Sequence, residues 1–228
     1  MSHRTLALCT LLLPGVVLAG ESQCHGTVGR GRIEGSVKLP LKGSNFSAYS
    51  SIAATAGRTY THSRVAAILA ASYGALASAF PEIRYVYGET GWESGGTFRP
   101  HRTHQNGLSV DFFVPVRDAS GRSVPLPTDL TQRFGYDIEF DKEARYKGLR
   151  IDFDAMAEHL YQLNVAAKAA GVGIALVIFD SAYLPRLFAT KRGSSLQHSL
   201  PFMKGKPWVR HDEHYHVDFA VSCKPNAA

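Results

Sequence analysis

The sequence predicts an α+β fold with a mainly antiparallel sheet flanked by helices. Residues 108–113 and 214–221 alternate their side chains with the period of a strand. Residues 64–80 and the stretch after Asp152 instead repeat their apolar side chains with the period of a helix. The two kinds of segment follow one another irregularly, which argues against regular β-α-β units. The 228 residues are 45% hydrophobic and 19% charged, which is enough for one well-buried core.

Residues 1–20 read as a removable signal peptide. His3 and Arg4 form a short polar start, residues 6–18 are mostly apolar, and Val17-Leu18-Ala19 fits cleavage after Ala19 or Gly20. The apolar stretch is shorter than the roughly 20 residues of a spanning helix, so an N-terminal anchor is the weaker reading. No later segment is long and apolar enough to span, so no membrane span is expected after signal removal. Residues 21–228 are expected to form a single domain. It opens with an irregular arm, about residues 21–60, that is rich in Gly and Ser and in which Leu39-Pro40-Leu41 docks.

Ser63 is placed to cap a helix over 64–80, with Val65, Ile68, Leu69, Tyr73 and Leu76 on one stripe and Pro81 as the stop. Residues 83–87 alternate like a strand. Residues 89–99 are Gly-rich, carry Trp92 and read as a loop, a common place for substrate contacts beside a site. After the strand that holds Asp111 comes a polar excursion over 117–148. Its Pro125, Pro127 and Gly135 argue against a long helix, and 136–140 suggest a hairpin. Asp152 or Asp154 caps a second helix with Met156, Leu160, Leu163 and Ala167 on one face, ending near Gly171. Residues 174–179 lack any polar member and read as a strand buried on both faces. A short helix is expected over 184–190, a loop over 193–207 and a final strand from about His214.

Of the three cysteines, Cys9 leaves with the signal peptide. Cys24 and Cys223 remain as an even pair, which suits a disulfide in an oxidising compartment; two free thiols are the alternative. The formal net charge of +6 fits an anionic partner such as a wall polymer. The basic residues are scattered, with no long Lys/Arg run and no nucleic-acid motif, so nucleic acid is not an expected partner.

Five of the ten histidines, His101, His104, His211, His214 and His216, fall in two short stretches. With period two, His214, His216 and Asp218 point to one side of the last strand, and Tyr215, Val217 and Phe219 to the other. Asp111 sits mid-strand among apolar neighbours, where an unpaired carboxylate is costly. Two strands that each offer metal-type ligands point to one shared site on the sheet. A hydrolytic zinc takes three protein ligands from His, Asp or Glu and keeps a position for water. It then acidifies that water and polarises the scissile carbonyl. His104, Asp111 and His216 supply such a set, with a turn at Gly107 that lets His104 fold back over the strand of Asp111. An H-x-H pair can place both rings on one metal, so the spacing leaves His214 open as a ligand or a catalytic neighbour. A structural zinc site favours four ligands and usually includes cysteine, and no cysteine pair is near. The scattered histidines, His62 and His159 among them, read as surface or helix-end residues.

These motifs resemble those of the metallopeptidase group that includes lysostaphin and the D-Ala-D-Ala peptidases, with the hedgehog signalling domain as a relative. Within it they are most similar to the penicillin-insensitive murein endopeptidase family. The phrase Ser/Thr-His-Gln-x-Gly-Leu-x-Val-Asp stands here as Thr103 to Asp111, with His101 three residues before His104. The ending His-x-x-His-x-His-Val stands as His211 to Val217, and Cys223 follows. The resemblance implies a zinc-dependent endopeptidase that cuts peptidoglycan cross-links between D-alanine and a diamino acid, and the signal peptide places it in the periplasm. It implies His104, Asp111 and His216 as zinc ligands and His214 as the catalytic partner, with His101 and His211 lining the site. His211, in the loop before the strand, could assist His214 or bind the developing oxyanion. Glu213 stands where D-Ala-D-Ala carboxypeptidases of the wider group carry their catalytic glutamate; it is expected here at the surface or behind His214. A carboxypeptidase, or a non-catalytic wall-binding module that keeps zinc for stability, are the alternatives.

Overall fold

The computed structural model describes residues 20–205 and 207–226, so the expected signal peptide lies outside the described residues apart from Gly20. The arm comprises β1 (Gln23–Thr27), β2 (Arg30–Glu34), β3 (Val37–Lys38), β4 (Phe46–Ala48), α1 (Ser51–Thr55) and β5 (Tyr60–Thr61). Helix α2 (Ser63–Ala79), β6 (Tyr85–Tyr87) and β7 (Ser109–Phe113) follow. The excursion holds β8 (Val116–Arg117), β9 (Ser123–Val124), a kinked 3-10 segment at Leu130–Gly135, β10 (Arg145–Tyr146) and β11 (Leu149–Ile151). The chain then runs through α3 (Phe153–Ala169), β12 (Gly173–Ile178), α4 (Leu184–Phe188), α5 (Gly193–Ser199) and β13 (His214–Ala220).

The central sheet has the order β12-β13-β7-β6-β4 and is antiparallel except for the β4–β6 pair. A second sheet, β10-β11-β8-β9, gathers the excursion. This is the α+β architecture that the irregular alternation predicts. The alternating segments behave as read: Val110, Phe112, Tyr215, Val217 and Phe219 are buried in the core with Val65, Ile68, Leu69 and Leu76 of α2 and Met156, Leu160 and Leu163 of α3. Asp152 caps α3 through a bond from Ala155 N to its carboxylate. The cap of α2 is His62 rather than Ser63, its Nδ1 accepting from Arg64 N at 3.1 Å.

Several local expectations are overturned. Strand β12 is not buried on both faces. It lies at the sheet edge with Gly173 and Ala175 exposed, so an unbroken apolar run did not signal a central strand here. Residues 193–199 form α5 rather than a loop; only Gly193 and Leu196 of this short helix are buried, too few for a visible apolar stripe. The hairpins of the excursion are β8–β9 and β10–β11, not 136–140. His159 is fully buried, not at a surface or a helix end.

Cys24 and Cys223 are disulfide-bonded, with Cα atoms 4.8 Å apart. The bridge ties β1 to the chain just past β13, where Lys224 N also donates to the Cys24 carbonyl at 2.9 Å. The chain-entropy model assigns a loop of this length about 5 kcal/mol. Among the described residues no helix is long and apolar enough to cross a membrane.

His159 makes the fold acid-sensitive. Its ring stacks on Tyr73 and packs against Tyr85 and Phe112, and Nδ1 meets the Tyr215 hydroxyl. Burial lowers it from 6.5 to about 3. A depressed pKa means that the unfolded chain takes up the proton first, so this stability is complete above pH 6.5 and lost as pH falls towards 3. At pH 4 the loss is about 3 kcal/mol. Urea unfolding of the wild type and His159→Phe at pH 7 and pH 4 checks this. The wild type should lose about 3 kcal/mol more than the variant on acidification, and equal losses would remove His159 as the cause.

Candidate metal centre

Register brings the two motif stretches together. In the β7–β13 ladder Asp111 lies opposite His216 and Ser109 opposite Asp218. His104 reaches the same carboxylate through a turn. It adopts φ 66°, a left-handed conformation that is strained for a residue with a Cβ, and Gly107 follows at φ 77°. A Cβ on Gly107 would stand 2.9 Å from His62 N and 2.5 Å from Ile33 Cδ1, so this turn needs glycine.

Three ring nitrogens surround Asp111. His104 Nε2 lies 3.2 Å and His216 Nδ1 2.8 Å from Oδ1, and His101 Nδ1 lies 3.8 Å from Oδ2. His101, His104 and Asp111 bring one ligand atom each within 4.8 Å of one another. The far side of each ring is fixed. His104 Nδ1 donates to the Thr90 carbonyl at 3.3 Å. A carbonyl only accepts, so His104 Nε2 is a bare lone pair, fully buried and without a hydrogen-bond partner among the described residues. His216 Nε2 is held at 2.8 Å by Asp218 Oδ1, which also accepts from Ser109 Oγ at 2.6 Å. His101 Nε2 is bonded to Glu89.

A bare imidazole nitrogen 3.2 Å from a carboxylate oxygen is repulsive unless a cation sits between them. Burial alone would raise Asp111, but the imidazoles of His104 and His214 hold it well below the usual carboxylate range. Burial alone would lower His216, but the carboxylates of Asp218 and Asp111 outweigh it and raise it to about 10. The two carboxylates therefore favour the protonated form of His216. Nitrogen and oxygen donors on a buried carboxylate, each braced from behind, are what a zinc-type cation needs.

His214 stands beside this centre, its Nε2 3.9 Å from Asp111 Oδ2 and its Nδ1 2.7 Å from Glu213 Oε1. Burial, reinforced by the neighbouring His101 and His216, lowers His214 to about 4, so it is neutral near pH 7. Burial likewise lowers His211 to about 3; its Nδ1 donates to the Val209 carbonyl at 2.8 Å and its ring lies 4.6 Å from that of His214. Glu213 is buried, not at the surface, and burial pushes its carboxyl well above the usual range. His101, His211, Glu213, His214 and His216 all line one cleft of about 770 Å³. Trp92 stands behind that wall; its ring carries the Arg58 guanidinium at 4.8 Å and abuts Phe98 at 5.1 Å.

Two site residues escape a reading by pattern. Glu89 is buried and bonded to His101, Arg58 and the Tyr49 hydroxyl. Burial would raise it, but His101 and Arg58 bring it down to about 2. The Tyr136 hydroxyl donates to Asp111 Oδ2 at 3.0 Å and accepts from Glu89 N at 3.2 Å. Gly88 makes room for it: a Cβ there would lie 2.9 Å from both Asp111 Cβ and the Tyr136 hydroxyl. The one signal for Glu89 is an acid just past an aromatic strand. Tyr136 carries none.

Residues 24–228 match the model of a family described as penicillin-insensitive murein endopeptidase. No curated protein matches the chain.

Proposed function

The chain belongs to the penicillin-insensitive murein endopeptidase family, and we propose that it is an exported zinc hydrolase that opens peptidoglycan cross-links between D-alanine and a diamino acid. The observation that carries this reading is the convergence of the bare His104 Nε2 and of His216 Nδ1 on Asp111 at the cleft. His104, Asp111 and His216 would hold the metal, and His101 would stand beside it. Zinc, when bound, supplies a Lewis acid that polarises the scissile carbonyl and acidifies water. The chain supplies the proton handling. His214, neutral and oriented by Glu213 at Nδ1, takes a proton at Nε2 from the attacking water and returns it to the leaving amine. His211, with Nδ1–H held by Val209, offers Nε2 to the same space. Asp218, Thr90 and Glu89 keep the rings in place.

Export to the periplasm is supported by residues 1–20 and by the disulfide, which needs an oxidising compartment. Residues 21–228 are read as one peptidase domain whose arm is pinned by that bridge. Glu213 on the cleft wall favours a second reading, a D-Ala-D-Ala-type carboxypeptidase.

Digestion of purified peptidoglycan with and without a chelator is the test. The expected result is release of uncross-linked muropeptides, lost with chelator and restored by zinc. Release of free D-alanine instead would select the carboxypeptidase. Sedimentation with peptidoglycan without cleavage would leave a wall-binding module, and full activity in chelator would end the metal reading.

A further inference from the structure

Four arginines line the cleft, Arg58, Arg99, Arg133 and Arg210. Three are engaged. Arg58 Nε is bonded to the buried Glu89, Arg133 meets Asp137 at 3.4 Å, and Arg210 meets Glu139 and Asp180 at 2.8 Å each. Arg99 has no acidic partner among the described residues, although its backbone is fixed. Its carbonyl accepts from Arg58 Nη2 at 3.0 Å. His101, two residues on, is held by Glu89 and faces Asp111. Two residues span at most about 7 Å, so Arg99 is rooted close to the reacting centre.

The substrate chemistry asks for such a cation. When D-alanine acylates the amine of a diaminodicarboxylic acid, a free carboxylate remains on the carbon bearing the scissile nitrogen. That carboxylate must enter a cleft already lined by Glu89, Asp137 and Glu139, and a further anion without a partner of its own is costly there. An arginine already paired with an acid has part of its charge committed; an unpaired one offers a carboxylate its whole fork, two parallel N–H bonds.

Building on the endopeptidase reading above, we infer that Arg99 is the carboxylate reader on the leaving-amine side of the cleft. It selects cross-links whose diamino acid carries a free carboxylate beside the scissile nitrogen, and disfavours those in which that group is amidated or absent. Arg99 is exposed and outside the metal set, so its replacement leaves the fold and the metal content intact.

The test uses the full exported chain loaded with zinc and two synthetic cross-linked peptides, one with that carboxylate free and one with it amidated. The wild type should prefer the free acid by about 10- to 100-fold in kcat/KM, mostly through KM. Arg99→Ala should lose that preference by slowing on the free acid alone, Arg99→Lys should recover part of it, and Arg133→Ala should keep it. An undiminished preference in Arg99→Ala, or equal loss on both peptides, would overturn the assignment. A wild type inert on both peptides would bring down the endopeptidase reading and the assignment with it. Cleavage of both by the wild type without preference would bring down the assignment alone.

Discussion

Alanine at His104, Asp111 or His216 is expected to strip the metal and to reduce peptidoglycan cleavage by at least about 10³-fold, the scale of a lost Lewis acid. The ring nitrogens of His104 and His216 converge on the buried Asp111 carboxylate, so removal of any one of the three breaks the donor set. Metal analysis after dialysis separates this from misfolding. His101→Ala is the informative companion. Its Nδ1 also reaches the group, but at 3.8 Å from Asp111 it stands farther off than the nitrogens of His104 at 3.2 Å and His216 at 2.8 Å. Retention of zinc by His101→Ala, with loss from the other three, is expected. Zinc lost from His101→Ala and kept by His216→Ala would rewrite the ligand set as His101, His104 and Asp111. Uptake should also release a proton, because the metal replaces the proton that Asp218 and Asp111 hold on His216. Affinity should therefore strengthen as pH rises through neutral, which a titration at pH 6 and pH 8 reads directly.

The centre was legible where chemistry and periodicity coincide. Asp111 and His216 are polar residues inside strongly alternating strands, and a strand's period of two fixes the face that each presents. Antiparallel pairing then placed them opposite each other, which no spacing along the chain states but which two such strands make natural. His104 was legible through its glycine. Glu89 and Tyr136 were not, because they reach the site by tertiary packing. One comes from just past a strand end and the other from an excursion without periodicity, and the Tyr136 hydroxyl joins them by bonding both Asp111 and the Glu89 backbone. The elements misread were the least periodic or the most ambiguous. An apolar run such as 174–179 fits an edge strand with one covered face as well as a central one, and a seven-residue helix such as α5 offers one buried leucine. His159 was misread for a related reason. A histidine buried among aromatic rings has no sequence mark that separates it from one at a helix end, since its partner Tyr215 lies 56 residues away.

His214→Ala, with zinc retained, is expected to lower cleavage by about 10²- to 10⁴-fold, the usual worth of a positioned proton carrier. Glu213→Gln should cost far less and should change the pH profile. The physical reason is the bond between Glu213 Oε1 and His214 Nδ1. When Glu213 is ionised it accepts from Nδ1–H, and Nε2, on the side of Asp111, is a free lone pair able to take a proton. When Glu213 is protonated its O–H can donate to Nδ1; the imidazole then carries its hydrogen on Nε2 and no longer acts there as a base. Burial holds Glu213 well above the usual range. Activity of the wild type should therefore fall as pH drops through that raised value. A glutamine cannot ionise but can still accept from Nδ1–H, so in Glu213→Gln the acid limb should move down towards the pKa of His214 itself, about 4. Zinc-loaded wild type, His214→Ala and Glu213→Gln, assayed on the same peptidoglycan from pH 5 to pH 9, give the comparison. An active His214→Ala beside a dead Glu213→Gln would transfer the base to Glu213 and move the chain towards the carboxypeptidase reading. An acid limb that stays in place in Glu213→Gln would show that Glu213 does not set the tautomer of His214.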